Sequence, residues 1–264
     1  MNIEEYKFIK VKVEDGLGIV TLDNPPVNVL NLEVLREIED IMSEMEEDEE
    51  AKAVVITGAG TYAFCAGADI KMIQKLDPSK AEGIVRFGHR VFNKVENLSK
   101  PVIAAINGLS LGGGNELCMA CDIRISSDRA RFSQPEVGLG LIPAWGGTQR
   151  MARLIGKAKA KELIFTGEMI TAQEALRIGL VNKVVPDGEE LRASMDIARR
   201  ITTRSAPLAV MAAKKAINEG LQKQSLEEAL EVEVNFIKDI AESEDLREGL
   251  EAFFSKRSPR FKGR

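Results

Sequence analysis

The stretch from Pro101 to Glu136, PVIAAINGLSLGGGNELCMACDIRISSDRARFSQPE, restricts the fold more than any other part of the chain. It opens with an apolar run, Pro101 to Ile106, short enough for a buried strand. Asn107-Gly108 breaks the run. Leu111 then leads into Gly112, Gly113 and Gly114, followed at once by Asn115 and Glu116. A second strand-like piece, Asp122 to Ser126, follows, and the stretch closes on Phe132-Ser133-Gln134-Pro135-Glu136. Two carboxylates therefore each follow a constrained backbone, one a triple glycine and the other a proline. Glycine permits close backbone approach and dihedrals closed to other residues. If a helix starts at the glycines, its first N–H groups have no intrahelical partner and can receive an oxygen gaining negative charge. The other reading is a flexible loop, or a tight strand-to-helix turn that binds nothing. Neither G-x-x-x-x-G-K-[ST] nor G-x-S-x-G is present, which argues against a nucleotide P-loop and a serine-hydrolase elbow.

The flanking chain alternates strand and helix signals. Phe8 to Val13 and Gly18 to Leu22 read as two strands joined at Asp15-Gly16. Val34, Leu35, Ile38, Ile41, Met42 and Met45 recur at helical spacing. Ala53 to Thr57 looks like a buried parallel strand. Next comes GTYAFCAGADI, Gly60 to Ile70, where Gly67 permits another close approach and Asp69 reads as a helix cap or, less simply, a catalytic carboxylate. The only histidine, His89, lies in a helical pattern from Ile84 to Leu98, without the nucleophile motif a hydrolase needs. Beyond Glu136, GLGLIPAWGGTQR forms a further glycine-rich turn, in which Trp145 either lines a pocket or packs. The order argues an α/β fold. From about Glu189 helical periodicity takes over, giving a core over residues 1–188 and a helical region over 189–264 that packs on the core or on a neighbouring subunit.

Charge and cysteine use narrow the function classes. With 41 acidic against 36 basic residues the net charge is −5, which gives no general nucleic-acid surface. An acidic ligand would need a local basic patch. The tail, Lys256 to Arg264, has five basic residues and reads either as a disordered solubilising end or as a phosphate-binding patch. Cys118 and Cys121 have C-x-x-C spacing inside an apolar helical run, where core packing competes with a redox or zinc pair. The N-terminus MNIEEYKFIK has no signal-peptide core, so a cytoplasmic location is expected, and no apolar run is long enough for a membrane span.

Five stretches, taken in order, resemble the enoyl-CoA hydratase/isomerase (crotonase) family over nearly the whole length. They are Ala63 to Ile70; Ala104 to Gly108 with Gly112 to Glu116; Ala130 to Glu136; Gly146 to Arg150; and Thr166 to Glu168 with Gly179 to Val181. The resemblance implies an α/β spiral of ββα units whose helical C-terminal region forms a homotrimer, often doubled into a hexamer. It implies an acyl-CoA substrate, no nucleic-acid partner, and no metal or redox cofactor, coenzyme A being part of the substrate.

Carried over from the family, the backbone amides of Ala68 and Gly113 form an oxyanion hole, and Glu116 and Glu136 are the catalytic pair. Ala66, Ala68, Asp69, Ile70, Lys71 and Lys256 contact CoA, and Trp145 is a candidate for the acyl pocket. Both glutamates of the family's hydratases are present, which points to reversible hydration of a trans-2-enoyl-CoA to a 3-hydroxyacyl-CoA. A Δ3,Δ2-enoyl-CoA isomerase, which needs one carboxylate and no water, is the first alternative. A noncatalytic acyl-CoA- or RNA-binding scaffold is the second.

Overall fold

The computed structural model describes residues 6–74 and 77–264. The chain enters through a hairpin, β1 (Ile9–Glu14) against β2 (Leu17–Leu22), and then α1 (Leu32–Glu47). A repeating unit follows. The first repeat holds β3 (Ala53–Gly58), β4 (Ala63–Cys65), α2 (Ile70–Gln74) and α3 (Pro78–Asn97). The second holds β5 (Val102–Ile106), β6 (Leu109–Leu111) and α4 (Gly113–Ala120). The third holds β7 (Ile123–Ser127), β8 (Arg131–Ser133), a 3-10 turn at Glu136–Leu139 and α5 (Gly147–Ile155). After α6 (Lys157–Thr166) come β9 (Ile170–Thr171), α7 (Ala172–Arg177) and β10 (Lys183–Val185).

Each repeat gives its longer strand to one sheet and its three-residue strand to another. The larger sheet has the order β1-β2-β3-β5-β7-β10, parallel from β2 onward, and the smaller has β4-β6-β8-β9. This is the ββα spiral that the resemblance implies. β3 and β5 are buried at every position, which is why they read as unbroken apolar runs.

One face of the larger sheet packs against α1 through Leu35, Ile38, Ile41 and Met42, and against α3 through Val91, Phe92 and Val95. Burial of each such side chain stabilises the fold by about 1.5–3 kcal/mol. Asn31 starts α1 by accepting the amides of Glu33 and Val34 on Oδ1, both at 2.9 Å. The other face, with Val55, Ile103 and Ile125, packs on α8 (Glu190–Arg204) around Ala198. The helical region drawn from residue 189 thus begins with a helix seated on the sheet.

α9 (Pro207–Gly220), α10 (Leu226–Ala241) and α11 (Glu244–Phe254) complete the chain. Lys214 of α9 reaches back to Asp122 Oδ2 at 2.8 Å and to the Lys100 carbonyl at 3.0 Å. The basic tail is not the disordered end that one of its readings expects. Buried Asp245 accepts the amides of Lys262 at 2.6 Å and Gly263 at 2.9 Å, and Glu248 accepts Arg257 Nη1 at 2.6 Å and the Arg260 amide at 2.6 Å. The cause is local charge: α11 opens with Glu244 and Asp245 and carries Glu248 a turn later, so the tail folds back along it.

Candidate active site

β4, β6 and β8 are adjacent and parallel, so their C-terminal ends emerge side by side. Ala68 follows the first end, Gly113 the second and Glu136 the third. With Glu116, in the first turn of α4, they line a single cleft of about 100 Å³ whose apolar walls include Met72, Ile84, Val85, Ile142 and Trp145.

The two backbone amides are held open by their surroundings. Leu30 bridges the strand end, donating to the Gly67 carbonyl at 2.8 Å and accepting from the Asp69 amide at 2.9 Å. The Ala68 N–H between them, like the Gly113 N–H at the start of α4, donates to no acceptor among the described residues. The amides are neighbours, since a Cβ on Gly113 would lie 3.4 Å from Ala68 N and one on Gly67 would lie 3.5 Å from Gly113 N. Gly67 has φ +95°, and a Cβ there would press on the Leu111 carbonyl at 2.9 Å, so only glycine fits.

Glu116 is 2% exposed. Its Oε1 accepts the amides of Trp145 at 2.8 Å and Gly147 at 2.7 Å. Burial pushes its carboxyl up to about 8, with the facing Glu136 charge adding to the rise while the two amides and the Arg150 charge oppose it. Burial raises the Glu136 carboxyl as well, and its Oε2 is buried without a partner among the described residues. Two carboxyls that repel across one cleft titrate as a pair, and near neutrality the pair retains a proton.

The remaining candidates fall on three places. Ala66, Asp69, Ile70 and Lys71 follow β4 on the way to the Met72 wall of the cleft. The Ala66 amide bonds the Val27 carbonyl at 3.0 Å, and Asp69 Oδ1 accepts the Lys71 amide at 2.8 Å, acting as the cap of α2. Ile70 and Lys71 are exposed. Lys256 sits just past α11, exposed and outside the cleft lining of its own chain. Trp145 is on the cleft wall and also packed, edge-on to Phe92 at 5.8 Å between ring centres, so both of its readings hold.

His89 Nε2 donates to the Ala144 carbonyl at 2.7 Å and does not line the cleft. Cys118 and Cys121 are buried free thiols, and burial pushes Cys118 up to about 11, the state of packed rather than reactive sulfur. Among the described residues no three His, Cys, Asp or Glu side chains gather to hold a metal ion, and no helix is long and apolar enough to cross a membrane. Sequence reasoning missed the amides of Trp145 and Gly147 as partners of Glu116, and the Arg150–Glu96 pair behind them. The available signal was the glycine pair Gly146-Gly147 four residues before an arginine.

This is the architecture of a crotonase-type acyl-CoA enzyme, and the chain resembles a solved enoyl-CoA hydratase of Bacillus anthracis with a TM-score of 0.93 at 40% identity, covering 98% of this chain and 100% of that one. It is 44% identical over 254 residues to a short-chain-enoyl-CoA hydratase of Clostridium acetobutylicum, spanning 96% of this chain and 97% of the relative. It is 42% identical over 257 residues to a crotonyl-CoA hydratase of Syntrophomonas wolfei, spanning 97% and 98%. Residues 12–264 match the family described as enoyl-CoA hydratase/isomerase. The chain belongs to that family, and it is an enzyme acting on enoyl-CoA thioesters.

Proposed function

We propose that the protein is an enoyl-CoA hydratase, adding water reversibly across the double bond of a trans-2-enoyl-CoA to give the 3-hydroxyacyl-CoA. The observation that carries this reading is that Glu116 and Glu136 line one cleft together with the unpaired amides of Ala68 and Gly113. As the water oxygen adds to C3, the thioester oxygen gains negative charge, and two amides already in place stabilise it. Glu116 takes a proton from the water while Glu136 delivers one to C2. The net proton shift from Glu136 to Glu116 is reversed between turnovers. Once ionised, a carboxyl at about 8 is a stronger base than an ordinary glutamate, and burial favours the neutral form of Glu136 that a proton donor needs.

A short acyl chain fits this cleft best. Trp145 and the apolar wall leave about 100 Å³, and the two relatives named above are a short-chain-enoyl-CoA and a crotonyl-CoA hydratase. The CoA moiety runs over Ala66, Asp69, Ile70 and Lys71, with Lys256 reaching it from a neighbouring subunit. The assembly implied by the resemblance, a homotrimer or a dimer of trimers, is supported by Leu226, Ile237, Phe253 and Phe254, which α10 and α11 leave exposed as a patch unusual for a lone subunit.

The test is loss of conjugated-thioester absorbance on crotonyl-CoA and on long-chain enoyl-CoAs, with product analysis on a 3-enoyl-CoA. Rapid loss on crotonyl-CoA, and slower loss on long chains, is expected. No hydration of any trans-2-enoyl-CoA, or turnover of the 3-enoyl-CoA alone, would overturn the reading.

A further inference from the structure

We propose that Arg150 is a positioning residue for Glu116, acting from a clamp on α3 through the turn Ala144–Gly147; the proposal rests on the reading of Glu116 as the group that activates water. The amides of this turn hold Glu116 Oε1, while its carbonyls are held from the other side. Arg150 Nη1 donates to the Trp145 carbonyl at 3.1 Å, and His89 Nε2 meets the Ala144 carbonyl at 2.7 Å. The rest of the guanidinium is anchored on α3, with Nε and Nη2 on Glu96 Oε2 at 3.1 and 2.6 Å and Nη2 on Asn93 Oδ1 at 2.7 Å.

His89, Asn93 and Glu96 stand at i, i+4 and i+7, one stripe of α3. Gly88 beside them makes room for the turn, since a Cβ there would lie 2.2 Å from Trp145 Cδ1. Gly146, at φ +114°, makes room for the guanidinium, since its Cβ would lie 2.1 Å from Arg150 Nη1. Peptide groups are planar, so His89 on the Ala144 carbonyl fixes the Trp145 amide, while Arg150 on the Trp145 carbonyl fixes the peptide that lies between the two donor amides, Trp145 and Gly147. Glu116 is therefore oriented from α3 by side chains that never touch it. The Arg150 side chain is 11% exposed, and its fork matches the planar acceptors on both sides in a way an ammonium does not.

The charged groups facing Glu116 are Glu136, from the turn after β8, and Arg150, from α5. His89 reaches only the back of the turn, and Glu96 lies behind the guanidinium. The experiment compares the full-length protein with Arg150→Gln, Arg150→Lys and Glu96→Gln. It measures kcat and KM for crotonyl-CoA against pH, and follows the Glu116 carboxyl by 13C NMR, assigned through Glu116→Gln. Arg150→Gln should lower kcat on the order of 10²-fold with KM little changed, as a small misplacement does. It should also move the Glu116 titration and the acid limb of kcat to higher pH, because a facing cation is gone. Arg150→Lys should bring the limb back but not the rate. Glu96→Gln should move the limb to lower pH.

A folded Arg150→Gln enzyme with wild-type kcat and an unmoved Glu116 titration overturns the proposal. So does a loss of rate that merely tracks a lowered Tm with the titration unmoved. A wild-type protein that hydrates no enoyl-CoA overturns the hydratase reading instead, and the NMR shift still decides whether Arg150 governs Glu116.

Discussion

Glu136 Oε1 occupies the space a side chain on Gly112 would need: a Cβ there would lie 2.7 Å away. Gly112 has φ +49° and ψ −123°, and its amide donates to the Ser133 carbonyl at 2.9 Å, on the strand that leads to Glu136. The glycine that opens α4 is thus also the floor beneath the second carboxylate. Gly112→Ala should destabilise the protein by about 1–3 kcal/mol through the unfavourable backbone. It should also lower kcat while leaving KM nearly unchanged, since the displaced group is the proposed proton donor and not a proposed binding contact. Thermal melts and crotonyl-CoA kinetics check both, and wild-type kcat in the folded variant would show that Glu136 tolerates displacement.

Removal of either carboxyl separates activity from stability. Glu116→Gln and Glu136→Gln should each slow hydration by about 10²–10⁴-fold with the fold intact. Glu116 is raised from its ordinary 4.5 to about 8, so between these values the folded state holds a proton that the unfolded chain has released. Its contribution to stability is therefore complete below about 4.5 and lost as pH rises through about 8. Glu116→Gln cannot ionise and should gain on the wild type across that window. Denaturant melts on both sides of the window test this, and a variant that loses stability relative to the wild type as pH rises refutes it. Wild-type hydration should rise over the same range, because the base must be ionised to work.

Gly113 is bounded by Trp145, whose Cζ3 would lie 2.8 Å from a Cβ on it. Gly113→Ala should therefore lower turnover despite keeping its N–H, and Trp145→Phe should recover part of the loss in the double variant by opening space. A double-mutant cycle measures the coupling. Purely additive effects would place the damage in the backbone and not against the indole.

Deleting Lys256 to Arg264 should act on stability as well as on CoA. The deletion strands the Asp245 carboxylate, which is 2% exposed and accepts two tail amides. A buried acceptor left without partners costs about 1–3 kcal/mol, more when charged. Asp245→Ala, which keeps every tail cation, should lower Tm comparably while leaving the KM for crotonyl-CoA unchanged. An undiminished Tm in both variants would mean that the tail contributes nothing to α11.

The long strands and the stripe of α1 were legible because burial writes a period, or an unbroken apolar run, into the sequence. β4, β6 and β8 were not, since three residues carry no period, and they are the strands that gather the site. The resemblance brought out Glu116, Glu136, Ala68 and Gly113, whose neighbours are glycines and prolines in fixed order. The partners of Glu116 were hidden for a different reason. They are backbone amides of Trp145 and Gly147, and amide placement depends on the turn that Arg150 and α3 hold, a contact spanning 54 residues between Glu96 and Arg150. The disordered reading of the tail failed because five cations among nine residues say nothing of the acids they will meet on α11.

The delivery of site groups from successive repeats has an evolutionary consequence. The amides of Ala68 and Gly113, the proposed donors for the thioester oxygen, come from the first and second units, and Glu136, the proposed proton donor, comes from the third, each just past its own short strand. Changes after β8 can therefore remodel proton delivery without disturbing the grip on the carbonyl. A lineage built on this spiral can explore new reactions one repeat at a time while its recognition of activated acyl groups is inherited intact.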